Sequence, residues 1–118
     1  MPLTFPYSGG GGGAGGTSFS GVNTQAANYT AALTDIGKLV VLSSASAIAF
    51  TVPPNSSVAF PVGTVLNFQQ GGAGALSVAA GAGVTINKLS TLNAVGSYAI
   101  GGLVQIAADS WILYGAMQ

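Results

Sequence analysis

The sequence contains no cysteine, histidine, arginine or glutamate among its 118 residues. Without cysteine or histidine, the chain has no disulfide framework, no zinc site, no thiol nucleophile and no imidazole base. We therefore expect no bound metal and no cofactor. The missing residue types also remove most routes to acid–base or nucleophilic catalysis, so we predict no catalytic residues.

Charge is almost absent as well. Charged residues make up 3% of the chain, against roughly 25% in an ordinary soluble domain. The net charge is zero, with Lys38 and Lys88 balancing Asp35 and Asp109. Two cations are too few to bind phosphates or anionic lipids strongly, so we expect neither nucleic acid nor membrane partners. A chain without net charge also lacks the repulsion that keeps small domains apart, and we expect it to associate.

Long uninterrupted hydrophobic runs are missing too. The best candidates for a membrane span, Leu39–Val52 and Leu89–Ala108, are broken by hydroxyl side chains and, in the second, by glycines. A spanning helix needs about 20 mainly apolar residues. The first residues show no cationic region followed by an apolar run, so no secretory signal is predicted.

What the chain has in abundance is glycine, concentrated in Ser8–Gly21. Glycine loses more conformational entropy on ordering than any other residue, so we predict a flexible Gly-rich N-terminal arm over residues 1–25. The arm carries apolar residues that are candidate contacts with a neighbouring subunit or a capsid: Leu3, Phe5, Tyr7 and Phe19. The alternative is an N-terminus that is simply disordered.

Residues 26–118 change to short β-like segments separated by turns. Segments of this length at 8–12 residue spacing predict an all-β fold, a small antiparallel β-sandwich or barrel-like domain. The sequence Ala108-Asp109-Ser110 predicts the turn of a hairpin, and Asn23–Asn28 allows at most one helical turn. The predicted strands are Leu39–Leu42, Ile48–Val52, Val58–Phe60, Thr64–Gln69, Leu76–Ala79, Val84–Asn87, Leu103–Ala107 and Trp111–Tyr114.

The few side chains capable of chemistry have simpler structural interpretations. Asp35 and Asp109 lie in turn-like contexts, where aspartate accepts backbone N–H hydrogen bonds rather than acting as an acid–base pair. Lys38 and Lys88 either pair with these aspartates or protect strand edges from uncontrolled pairing. The glycine run matches a dinucleotide-binding spacing but lacks the flanking strand and helix. The chain is therefore predicted not to be an enzyme.

Three aromatic residues near the C-terminus leave two interpretations open. Tyr98, Trp111 and Tyr114 are candidates to stack on sugars of a host receptor, or to fill the core or a subunit interface.

Four stretches carry a recognisable pattern of strands and turns: Tyr29–Val40, Ala49–Thr64, Val78–Asn87 and Trp111–Gly115. Together they span Asn28–Gly115 and resemble a small β-domain of tailed-bacteriophage virion structural proteins. Similar domains occur on head proteins and on tail fibres. The resemblance brings no catalytic residues with it.

The resemblance implies a non-enzymatic structural protein that assembles as a homo-oligomer. We expect a capsid decoration (cement) protein or short head-fibre protein, made in the host bacterial cytoplasm and placed on the capsid exterior of the virion. Its partners would be itself, as a homotrimer, and the major capsid protein, which it would stabilise by bridging. The alternative is a tail-fibre or tail-tip module for host-receptor binding, although here a glycine arm rather than a long shaft precedes the domain. Charge poverty alone also suggests a self-assembling coat or fibre protein outside viruses.

Overall fold

A computed structural model describes residues 18–89 and 91–118 of the chain. Its secondary structure is β, with one 3-10 turn at Leu33–Asp35 in the described part, so the all-β prediction is confirmed. The strands are β1 Gly21–Gln25, β2 Tyr29–Thr30, β3 Lys38–Leu42, β4 Ile48–Val52, β5 Val65–Gln70, β6 Leu76–Ala80, β7 Thr85–Asn87, β8 Ile100–Ala107 and β9 Ser110–Gly115.

The strands form two sheets that share one hydrophobic core. The larger sheet has six strands in the order β1-β3-β5-β8-β9-β7, and the smaller has three in the order β2-β4-β6. The rings of Phe50 on β4 and Phe68 on β5 lie 5.5 Å apart, so side chains of the two sheets meet directly. Alternate residues of each strand enter this core, as the period of two along a strand requires.

Along residues 21–80 the chain crosses from the larger sheet to the smaller and back, making three stacked rungs. The rungs are β1–β2, β3–β4 and β5–β6. Val40 pairs with Phe68 and Phe50 pairs with Val78, which is a shift of 28 residues in both sheets. Because the shift is the same on both sides, the second and third rungs superpose like the coils of a β-solenoid.

This stacking corrects the predicted antiparallel arrangement. Only the β5–β8 and β8–β9 pairs are antiparallel, whereas the other strand pairs of both sheets are parallel. Parallel neighbours need a crossover between them. For β1–β3, β3–β5, β2–β4 and β4–β6 the crossover is the intervening strand in the opposite sheet, because each corner carries the chain across the core; between β7 and β9 the intervening strand is β8 of the same sheet.

The corners between the two sheets are packed backbone against backbone. Residues 43–47 stack on residues 71–75, and the Gly74 amide donates to the Ser44 carbonyl oxygen at 2.8 Å. A Cβ atom on Gly72 or Gly74 would overlap the main chain of Ser44 or Ser46. Glycine at these positions is what allows the third rung to approach the second.

The β-domain begins earlier than predicted. β1 pairs in parallel with β3, from Gly21 opposite Lys38 to Gln25 opposite Leu42. Gly21–Gln25 is therefore part of the sheet and not of the arm, and Asn23–Asn28, where the sequence allows at most one helical turn, contains none. The strand escapes a local pattern search because its inward positions are polar and its pairing partner is distant in sequence. The predicted arm contacts Leu3, Phe5 and Tyr7 lie outside the described residues.

Most other predicted strands are found within a residue or two of their predicted bounds, and the predicted hairpin is present, although β8 begins at Ile100, three residues before the predicted Leu103. At its turn Asp109 has a φ of 58°, a backbone region that aspartate tolerates better than most residues. The exception is Val58–Phe60, which is not a strand. The amides of Ser57 and Val58 both donate to the Pro54 carbonyl oxygen, so this segment forms a turn that delivers Phe60 to the core.

Candidate interaction surface

The outward side of the larger sheet is the main candidate site. We define the outer face as the side chains that alternate with the buried ones along β1, β3, β5, β8, β9 and β7. Val22, Ile100 and Ile112 on it are 63%, 48% and 43% exposed. Its apolar members are Val22, Leu39, Val41, Val65, Ile100, Val104, Ile112 and Tyr114, and its polar members are Thr24, Asn67, Gln69, Thr85 and Asn87.

Strand register arranges the apolar members of the outer face in two groups. Val65, Val104 and Ile112 lie side by side across β5, β8 and β9. Val22 and Leu39 are opposite one another on β1 and β3. Asn67 and Gln69 on β5 lie opposite Leu39 and Val41, so polar side chains separate the apolar residues of β1 and β3 from those of β5, β8 and β9.

Charged side chains stand away from this face. Asp35 is buried and Asp109 lies in the β8–β9 turn, while Lys88 follows β7. Lys38 shares the inward parity of Val40, and its stem covers Gly21. It starts an interior strand rather than an edge strand, so the edge-protection interpretation is wrong for Lys38.

Several polar side chains of the outer face form hydrogen bonds within the chain. The Tyr114 hydroxyl donates to Asn67 Oδ1 at 2.6 Å, and its ring crosses Gly102, where a Cβ atom would overlap it. Gln69 Nε2 donates to the Tyr98 carbonyl oxygen at 3.4 Å. Asn87 Nδ2 donates to the Trp111 carbonyl oxygen at 3.0 Å. If another protein surface covered the outer face, these side chains would keep their intrachain hydrogen bonds, which lowers the free-energy cost of removing water from them.

The outward side of the smaller sheet has a different composition. Its side chains, again those alternating with buried ones, are small and mostly carry hydroxyl groups: Thr30, Ala49, Thr51, Ser77 and Ala79. Both sheets need residues that suit extended backbone, so strand propensity does not explain the difference. The smaller sheet presents the surface suited to water, and the larger sheet presents the surface suited to a partner.

Asp35 forms a buried polar cluster at the first rung rather than a catalytic pair. Its carboxylate is 1% exposed and accepts hydrogen bonds from Asn23 Nδ2, the Tyr29 hydroxyl and the Ala32 amide, each at 2.8 Å. Burial raises the pKa of Tyr29, and the hydrogen bond and negative charge of Asp35 raise it further. The carboxylate therefore has a structural role, because it holds Asn23, Tyr29 and Ala32 together at the first rung.

Asp109 is engaged separately in its own turn. Its Oδ1 accepts a hydrogen bond from the Asn55 amide at 2.7 Å, and its carbonyl oxygen accepts one from the Thr85 amide. Each aspartate thus receives a backbone N–H, as the turn interpretation predicts.

The candidate aromatic residues separate into different environments. Trp111 is 1% exposed and meets Phe60 edge to face at 5.6 Å, so it belongs to the core and is removed from the receptor candidates. Tyr114 is 41% exposed on the outer face. Tyr98 is 77% exposed with a φ of 69°, beside the end of β5. Phe19, immediately before β1, is 44% exposed. The structure does not gather these residues into one site.

Sequence reasoning missed the aliphatic members of the outer face. The signal was present in β9, where Ile112 and Tyr114 alternate with the buried Trp111 and Leu113. Two apolar faces on one strand indicate that both sides are covered.

Other kinds of site find little support in residues 18–89 and 91–118. In that part of the chain, no three histidine, cysteine, aspartate or glutamate residues cluster as metal ligands, and no helix is long and apolar enough to cross a membrane. A cavity of about 110 Å³ beside Leu113 and Met117 is smaller than the roughly 300–1,000 Å³ of typical ligand pockets.

Comparison with known proteins gives no assignment. No family model matches the chain, and no curated protein or solved structure is significantly similar to it.

Proposed function

We propose that this chain is a non-enzymatic structural protein of a bacteriophage virion, a capsid decoration (cement) or short head-fibre protein that binds the head exterior as a homotrimer. The observation that carries the assembly role is the outer face, an uncharged apolar sheet surface on a domain with a shared two-sheet core. The virion context is supported by the sequence resemblance over Asn28–Gly115.

The mechanism we propose is stabilisation by bridging. Copies of the β-domain bury apolar surface against one another, while the arm reaches the major capsid protein through Leu3, Phe5, Tyr7 and Phe19. Burying a large apolar side chain stabilises an interface by about 1.5–3 kcal/mol. Several such contacts are needed to offset the entropy of ordering a glycine-rich segment.

Antibody labelling of whole virions tests this function. Gold-labelled antibodies against the purified chain, applied to particles of the phage that encodes it, should decorate heads at high copy number. If only a few copies at the tail were labelled, the result would contradict capsid decoration and support the tail-module alternative. Particles without label, together with absence of the chain from their mass spectrum, would contradict both.

The tail-tip alternative rests on one specific observation, the exposure of Tyr98. At 77% exposure, this ring is available for stacking on a sugar. A glycan array tests the alternative, with binding abolished in Tyr98→Ala and retained in Phe19→Ala as the matched aromatic control. A silent array combined with tight binding to capsids supports decoration.

A further inference from the structure

We propose that the outer face of the larger sheet is the contact surface between copies of this chain, with the outer faces of symmetry-related copies packed together around a shared axis. Such packing supplies the homo-oligomer of the proposed function, on which the inference therefore rests for its biological setting. The contact itself follows from the composition and hydrogen bonding of the face.

Charge favours a second copy over a foreign protein as the occupant. The outer face has no charged side chain, since Asp35 is buried and Lys38, Lys88 and Asp109 lie elsewhere. An ordinary protein surface brings many charges, and burying an unpaired charge against aliphatic side chains is costly. The same face of another copy brings none. A chain of zero net charge also adds no long-range repulsion between copies.

The hydrogen bonds of the face prepare it for contact without water. Asn67 Oδ1, Gln69 Nε2 and Asn87 Nδ2 are bonded within the chain. The Tyr114 ring lies against the sheet over Gly102, so it presents its flat side rather than an upright hydroxyl. A second copy can cover these groups without needing a polar partner for each.

The extent of the face corresponds to a small, weak interface rather than a large obligate one. Six strands about 4.8 Å apart and about five residues at 3.3 Å each give a footprint of roughly 24 by 17 Å, or about 400 Å². This area includes the polar side chains of the face, and apolar patches of a few hundred Å² on small proteins are often functional.

Sedimentation equilibrium of the full chain tests the proposal. The 11.4 kDa chain should sediment at two or three times its mass at micromolar concentration. Val65→Lys and Ile112→Lys place a charge on the face and should raise the dissociation constant about tenfold or more. Val95→Lys, at a 55% exposed valine outside both sheets, should leave it unchanged.

A cysteine variant keeps the test decisive if the lysine variants fold poorly. The chain has no native thiol, so Ile112→Cys and Val95→Cys each introduce a single one. The thiol at position 112 should react with a maleimide more slowly as protein concentration rises, whereas the thiol at 95 should react at a constant rate.

The outcomes separate this inference from the function. A monomeric wild-type chain, or an oligomer that Val65→Lys, Ile112→Lys and Val95→Lys affect alike, overturns the outer-face contact. Neither result removes capsid decoration, which is read independently by labelling of virions, but a monomeric chain would contradict its homotrimeric form. An oligomer disrupted only by the face variants, on a chain absent from virions, supports the contact and contradicts the function.

Discussion

Among single residues, Asp35 has the most demanding environment because its carboxylate is buried without a cation beside it. Three donors at 2.8 Å hold it in place, and hydrogen bonds to a charged group contribute about 1.5–3 kcal/mol each at most. Asp35→Asn replaces one acceptor oxygen with an amide that faces donors. We expect the free energy of unfolding to fall by about 2–3 kcal/mol, measured by urea denaturation.

Asp109→Asn is the matched control. Asparagine tolerates the left-handed backbone of residue 109, and its carbonyl oxygen can still accept from the Asn55 amide. We expect a loss below about 1 kcal/mol. Equal losses of unfolding free energy in the two variants would contradict the prediction that the buried hydrogen bonds of Asp35 stabilise the fold more than the turn hydrogen bonds of Asp109.

Tyr29 should make the stability of the fold depend on pH in the alkaline range. Its pKa is raised above the reference value of 10.0 by burial and by Asp35, so above pH 10.0 the unfolded chain loses the phenolic proton first. The contribution of Tyr29 to stability is therefore constant below that pH and declines as pH rises toward the folded pKa. Urea midpoints from about pH 8 to 11.5 should fall more steeply for wild type than for Tyr29→Phe. The same slope in both proteins would contradict the coupling.

At the scale of elements, the corner at residues 71–75 controls how the rungs stack. A methyl group at Gly74 would overlap the Ser46 carbonyl, so Gly74→Ala must push the rungs apart. Gly96→Ala is the control, since nothing lies within 4 Å of its Cβ position. We expect Gly74→Ala to cost about 3 kcal/mol and Gly96→Ala less than about 0.5 kcal/mol in thermal or urea unfolding. A mild effect at both positions would contradict the tight corner.

The elements also show how far the sequence predicts this fold. β4 was predictable as Ile48–Val52, because alternation and the two prolines that follow it are local signals. Parallel pairing was not, because it depends on which distant segment lies alongside. One usable signal was overlooked: residues 43–47 and 71–75 read Ser-Ser-Ala-Ser-Ala and Gly-Gly-Ala-Gly-Ala. This repeat has the same 28-residue spacing as the strand register.

The candidate surface was less predictable than the strands. Alternation shows that Val104 and Leu103 point to opposite sides of β8, but it does not tell which side faces the core. That distinction depends on the position of the smaller sheet, which no local pattern contains. Trp111 illustrates the same difficulty, since an aromatic residue in a hairpin strand suits a binding face and a core equally well.

For the whole molecule, the scarcity of charge means that the proposed self-association would depend on burial of apolar surface. Its affinity should therefore be almost insensitive to salt between about 50 mM and 500 mM, because screening acts only on charges. Sedimentation equilibrium across this range should give dissociation constants within about twofold. A steep decrease in affinity with salt would point to Lys38, Lys88 and Asp109 as contact residues instead.

The position of β1 has a mechanical consequence for a protein held by its N-terminus. Residues 18–20 enter the domain directly at β1, whose five residues pair with β3 on one side of the strand. Tension applied along the strand would load the hydrogen bonds of that ladder together, in shear, instead of breaking them one after another. The edge of the larger sheet is thus the part that would carry the load, and its resistance would grow with the number of paired residues.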